Sequence, residues 1–140
     1  RDVVLMREIK FRAFINGSMW NVNGLACSDD SEQMDLIDHS IGGYSEVHNY
    51  DLTDNCILMQ YTGLKDGNDV EIYEGDILED FLDNKRYKVV WDDYGSWVFI
   101  PIGAEGHGMD YYEFEDETSS FAVVIGNIYE NPDLLKSGNE

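Results

Sequence analysis

Cys27, His39, His48 and Cys56 are the one mixed cysteine and histidine set that could be tried as a zinc site, thiolate and imidazole being the ligands that ion prefers. Their separations contain no CxxC or HxxxH pair, so no single turn supplies two ligands. Ordinary buried cysteines and solvent-facing histidines are expected instead, with no metal and no cofactor. Asp110 to Glu117 offers the oxygen ligands a hard cation takes, but without the alternating Asp and Gly of a calcium loop it reads as a solvated acidic loop. Acid/base hydrolysis could draw on Asp92, Asp93 or His107; paired acids beside a turn are ordinarily a hydrated tip. Neither GxxxxGK[ST] nor GxGxxG occurs to cradle a phosphate, the glycines at 103, 106 and 108 having the wrong spacing. GxSxG is absent too, and no cysteine or histidine sits in a convincing nucleophile setting. The expectation is a protein that is not an enzyme.

Binding surfaces are the remaining candidates. Lys85, Arg86 and Lys88 cluster beside Tyr87 and Trp91, and cations interleaved with aromatics can hold a single strand of nucleic acid by phosphate contact and stacking. Strand alternation gives a plainer reading, with Arg86 and Lys88 on an exposed face and Tyr87, Val89 and Trp91 packed inward. The net charge of −20 points the same way, because a field of that sign repels phosphate backbones and attracts basic proteins. It is unevenly placed: residues 1–58 hold 4 basic and 10 acidic side chains, whereas 59–140 hold 5 and 19. A protein partner is therefore expected, and nucleic acid is the disfavoured alternative. Glu113, Glu115, Asp116 and Glu117 would form the acidic surface, with Tyr111 and Tyr112 as anchors. Such a surface suits either mimicry of nucleic acid towards a basic host protein or a homo-oligomer built from edge strands and exposed aromatics.

The elements that position these residues read as mainly β. Among 140 residues, 43% are hydrophobic and 13% aromatic, enough to bury a core despite the charge. Glu8 to Ile15 alternates as a strand, with Ile9, Phe11, Ala13 and Ile15 on one face. Asn16 and Gly17 then turn the chain towards Met19, Trp20 and Val22. From Ser28 to Ser40 the composition suits a short helix carrying Met34, Leu36 and Ile37, or a polar loop. Ile41 to Tyr50 is Gly-rich and weakly patterned, a candidate for mobility or partner contact. Cys56 to Tyr61 is an apolar strand, residues 65–68 supply turn types that tolerate positive φ, and Val70, Ile72 and Tyr73 resume it as a hairpin. Gly75 allows a bend and Asp76 can accept backbone N–H bonds at the start of the next strand.

Beyond that hairpin, strands are expected at Ile77 to Leu82, Arg86 to Asp92, Ser96 to Ile102 and about Val123 to Ile128, with turns at Asp83–Asn84 and Asp93–Tyr94–Gly95. Pro101 should lie at a strand edge or bulge. Gly103 to Gly108 is a flexible connection, and the segment after it is an edge strand or an acidic loop. Pro132 to Lys136 should form one closing helical turn behind Asn131. Turns every eight to twelve residues suggest a small SH3-like barrel in the carboxyl-terminal half. Residues 6–140 then form a single domain, 6–58 a hairpin and loop region and 59–135 the barrel-like part. Residues 1–5 precede a methionine and are expected to be an expression leader or an alternative start.

The segment from Gln60 to Leu78, QYTGLKDGNDVEIYEGDIL, resembles the signature of the YopX family, small proteins of bacteriophages and prophages. Two further stretches are similar to that family, MREIKFRAF from Met6 to Phe14 and VIGNIYENPDLL from Val124 to Leu135, so the resemblance brackets nearly the whole chain. Where the family usually has an Asp/Lys/Asn/Gly turn, this sequence has Lys65, Asp66, Gly67, Asn68 and Asp69. The resemblance implies a β-rich fold and a phage-related origin, hence the cytoplasm of a host bacterium, and supplies no catalytic residues. The sequence also lacks a signal peptide and a membrane span of about 20 apolar residues.

Overall fold

The computed structural model describes residues 8–22, 33–38, 46–51, 56–82, 84–103, 112–113 and 122–136, with backbone alone for 33–38, 46–51 and 112–113. The chain divides into two compact units, Arg1–Gly63 and Leu64–Glu140.

In the first unit β1 (Phe11–Ile15) is the central strand. It pairs antiparallel with β2 (Ser18–Val22) on one side and with β5 (Cys56–Lys65) on the other, from Ile15 opposite Cys56 to Phe11 opposite Gln60. Asn16 at φ 50° and Gly17 at φ 86° are both left-handed, the geometry a two-residue hairpin turn needs to match strand twist. Ala13 and Ile15 are buried and pack with Trp20, Val22, Cys56 and Leu58, as the alternation predicts. Ile9 lies before the strand and is 68% exposed.

β3 (Gln33–Asp38) and β4 (Glu46–Asp51) form an antiparallel pair, Gln33 opposite Asp51 and Asp38 opposite Glu46. The helix or loop expected over 28–40 is thus a strand where it is described, and the weakly patterned 41–50 segment is a strand from Glu46 onward. Met34 and Leu36 suit a period of two, whereas Met34 and Ile37 suit a helical turn. The choice falls to a partner strand bringing Val47 opposite Ile37 and Tyr50 opposite Met34, a pairing local sequence does not contain.

In the second unit, the end of β5 and β6 (Glu71–Tyr73) are the arms of the expected hairpin. β7 (Asp76–Asp80), β8 (Arg86–Trp91), β9 (Trp97–Pro101), β10 (Tyr112–Glu113) and β11 (Ala122–Asn127) form an antiparallel sheet in the order β10-β9-β8-β7-β11. The fold is mainly β. Its core is Ile72, Leu78, Tyr87, Val89, Trp97, Phe99 and Ala122, with Tyr87 and Phe99 edge-on at 6.1 Å. Tyr87 and Val89 thus face inward as alternation requires. Trp91, next in that alternation at the end of the strand, packs on Trp97 but is 48% exposed, not packed away as expected. Pro101 is the last residue of β9, where the ladder no longer needs its N–H.

Two boundaries differ from expectation. β7 stops at Asp80 because that residue's carboxylate accepts Leu82 N–H at 2.7 Å and its carbonyl accepts Asn84 N–H, with Asn84 at φ 58°. Phe81 and Leu82 are left at the turn, 55% and 77% exposed. The closing helical turn is a 3-10 turn, Pro132–Leu135, and the Asn131 side chain does not cap it. Asn131 Oδ1 instead accepts Asn127 N–H at 3.2 Å.

Candidate functional site: two sheet edges and an aromatic turn

Two hairpin turns in the second unit share one design. At the first, Asp66 N–H donates to the Val70 carbonyl, and Asp66 Oδ1 accepts from Asn68 N at 2.8 Å and Val70 N at 2.9 Å. At the second, Asp92 N–H donates to the Ser96 carbonyl, and Asp92 Oδ1 accepts from Tyr94 N at 2.9 Å and Ser96 N at 2.8 Å. Each turn closes through a left-handed residue three places after its aspartate, Asp69 at φ 66° and Gly95 at φ 83°. A short carboxylate bonding its own backbone two residues on is the reason aspartate favours turns. Asp76, 1% exposed, follows the same rule in reverse, its Oδ2 accepting Tyr73 N–H at 2.8 Å across the bend at Gly75.

Asp66 does more than Asp92. Its second oxygen accepts Val124 N–H at 2.8 Å, and the neighbouring Gly67 N–H donates to the Ala122 carbonyl at 2.9 Å. Ala122 and Val124 belong to β11, whose other side pairs with β7. The turn of the signature hairpin therefore occupies the outer edge of β11, where an unpaired row of N–H and C=O groups would otherwise invite another strand. β11 bulges between Val124 and Gly126, then ends in a network around Asn127. The Asn127 Oδ1 accepts Tyr129 N and Glu130 N, and its amide donates to Glu130 Oε1 at 2.8 Å. A side chain at Gly126 would put Cβ 2.5 Å from Asn131 Oδ1 and 2.9 Å from Leu134 Cδ1.

The opposite edge is β10. It pairs with β9, Tyr112 opposite Phe99 and Glu113 opposite Val98, and lies outermost in the sheet. Two of the six residues expected to form a partner surface, Tyr112 and Glu113, thus sit on an edge strand. Tyr111, Glu115, Asp116 and Glu117 lie outside the described residues, as do Cys27, His39 and His107. The cation cluster is placed on and before β8. Arg86 stands opposite Glu79 on β7 and pairs with it at 3.4 Å, and Lys85 and Lys88 also have partners. Tyr87 lies on the other face, in the core, so the alternation separates Arg86 and Lys88 from the aromatic that stacking would use.

Sequence reasoning missed the exposed aromatics of the β8–β9 turn. Tyr94 is 87% exposed; Trp91 lies edge-on to Trp97, with ring centroids 4.8 Å apart at 70°. The signal was there in Tyr94, since a side chain at the middle of a tight turn has no sheet to pack against. Of the titratable groups, Cys56 has its thiol pKa pushed up by burial, which makes it a poorer nucleophile. Among the described residues no group of three or more histidine, cysteine or acidic side chains is disposed to hold a metal ion, and no helix is long and apolar enough to cross a membrane.

No curated protein matches the chain. Among solved structures it is similar to protein EF1440 from Enterococcus faecalis, at 30% identity and a TM-score of 0.60, over 94% of this chain and 100% of that one. The model of the YopX protein family matches residues 10–136, a span that takes in the hairpin with its Asp66 turn, both edges of the five-stranded sheet and the closing 3-10 turn, and the chain belongs to the YopX family.

Proposed function

We propose that this protein is a non-enzymatic, acidic interaction module of a phage or prophage, working in the cytoplasm of the host bacterium and engaging a protein partner through the β10 edge and the acidic segment 111–117. The observation that carries this reading is the asymmetry of the sheet. One edge, β11, is occupied by the Asp66 turn, whereas β10 at the other edge pairs only with β9 among the described residues. An open edge beside a run of acids suits a strand or loop from a basic partner, main-chain bonding giving affinity and the acids giving steering. Self-pairing of β10 between two copies uses the same edge.

The test combines Glu113, Glu115, Asp116 and Glu117, each changed to Lys, with capture from host lysate and light scattering on the purified protein. The reading expects bound proteins, or the dimer, to be lost in the reversed variant while its far-UV circular dichroism matches the parent. Unchanged capture and unchanged mass would overturn it.

A further inference from the structure

We infer that the β8–β9 turn is a separate receiving site for an arginine or lysine side chain of a basic protein, built from the faces of Trp91 and Tyr94 and the charge of Asp93. Trp91 is held in place before any partner arrives. Trp97, itself buried, lies edge-on to it at 4.8 Å, and Trp91 Cζ2 would stand 3.8 Å from a Cβ at Gly95, so the ring lies over the turn with 48% of its surface open. The turn beneath is fixed by the two bonds to Asp92 Oδ1, and these bind the backbone of Tyr94 without touching its ring. A scattered exposed aromatic needs no explanation. Two at one turn, three residues apart with two aspartates between them in sequence, give that turn a consistent chemical character.

Charge decides which occupant fits. An aromatic face attracts a cation through its quadrupole, most strongly for indole. Asp93 is exposed and Asp92 Oδ2 accepts no bond among the described residues, so both carboxylates add their field at the same turn. With a net charge of −20, the chain as a whole concentrates cations and repels phosphate. The protein already uses this pairing internally, where Lys10 Nζ lies 5.8 Å from the Tyr61 ring centroid. Arginine suits the site best, since its flat guanidinium can stack on the Trp91 face while its N–H groups reach Asp93.

The experiment titrates the intact chain with an acetylated, amidated Gly-Arg-Gly-Arg-Gly peptide, read by tryptophan fluorescence and by the Trp91 indole N–H resonance. The control peptide replaces each arginine with citrulline, its neutral isostere. Expected are saturable shifts with the arginine peptide, none with citrulline, binding about three- to fivefold weaker in Tyr94→Ala and in Asp93→Asn, and near-parental binding in Tyr94→Phe. Equal binding of the citrulline peptide would reduce the site to apolar adhesion, and unchanged affinity in Tyr94→Ala would reduce it to bulk charge; either result overturns the assignment. The acid reversal at 113–117 changes no residue of this turn, so the neutral Tyr94→Ala and the reversed variant test the two surfaces separately.

Discussion

Asp66 and Asp92 sit in turns of the same design, yet replacing each with asparagine should have very different costs. Asp92 uses one oxygen for both of its bonds, so Asp92→Asn keeps an acceptor at Tyr94 N and Ser96 N and turns the amide nitrogen towards the side that bonds nothing among the described residues. Asp66 uses both oxygens, one within the turn and one on Val124 N–H, 58 residues away. In Asp66→Asn the amide group faces the Val124 N–H donor to donor, and flipping it makes the conflict worse by setting the nitrogen against two N–H groups. A hydrogen bond to a charged acceptor is worth about 1.5–3 kcal/mol, and a part-buried donor left without one costs a comparable amount. Asp66→Asn should therefore cost about 3 kcal/mol and Asp92→Asn less than about 1 kcal/mol. For a chain of this size that is a fall in melting temperature of roughly 10 °C against a few degrees. Thermal unfolding by circular dichroism gives the midpoints, and amide hydrogen exchange locates the effect, Val124 N–H losing protection in the first variant alone. Equal midpoints, or a Val124 amide that stays protected in Asp66→Asn, would refute the reasoning that the turn holds the β11 edge.

Three further outcomes follow from the same geometry. Asp69, at φ 66°, occupies the position that Gly95 fills in the companion turn, so Asp69→Gly should raise stability by about 0.5–1 kcal/mol in urea unfolding. The loss of its exposed pair with Lys65 at 3.8 Å counts for little beside that. Gly126→Ala should cost roughly 2–3 kcal/mol by driving Cβ into Asn131, and Asn131→Ala added to it should recover part of the loss in a double-mutant cycle. Cys56, measured in a Cys27→Ser background, should react with iodoacetamide more slowly than glutathione at pH 8, because burial raises its pKa above the usual 9.0 and leaves less thiolate. Since the folded state favours the protonated thiol, its contribution to stability is complete below the unfolded pKa and is lost as pH rises through the folded one.

Local signals carried most of the fold. Asn16–Gly17, Gly75 with Asp76 and Asp93–Tyr94–Gly95 each announce a chain reversal by residue types that tolerate positive φ or bond their own backbone, and the chain reverses at each; the turn expected at 65–68 runs one residue further, its left-handed position being Asp69. β3 and β4 escaped because their apolar residues fit two periods and only their mutual pairing settles the matter. The end of β7 escaped for a different reason: Phe81 and Leu82 look like strand residues, but Asp80 opens a turn before them. The cation cluster and the edge strand were legible as positions on strands. The exposure of Trp91 was not, because alternation assigns a face to a residue without saying where the sheet's cover ends.

The charge of −20 is a poor guide to function until the acids are divided by what they bond. Asp66, Asp76, Asp80 and Asp92 accept backbone N–H groups within turns, and Glu79 holds Arg86. Reversing any of these would damage the fold, and a loss of binding in such a variant would say nothing about recognition. Asp93 bonds nothing within the turn it occupies, and Glu113 stands on an edge strand beside the acids at 115–117. An electrostatic partner must be read by acids of this second kind, since only they can exchange water for a cation without first releasing a backbone donor. That is why the decisive variants are those at 93 and 113–117, whereas Asp92→Asn, one residue away from Asp93→Asn, removes a charge and alters the turn's own acceptor together.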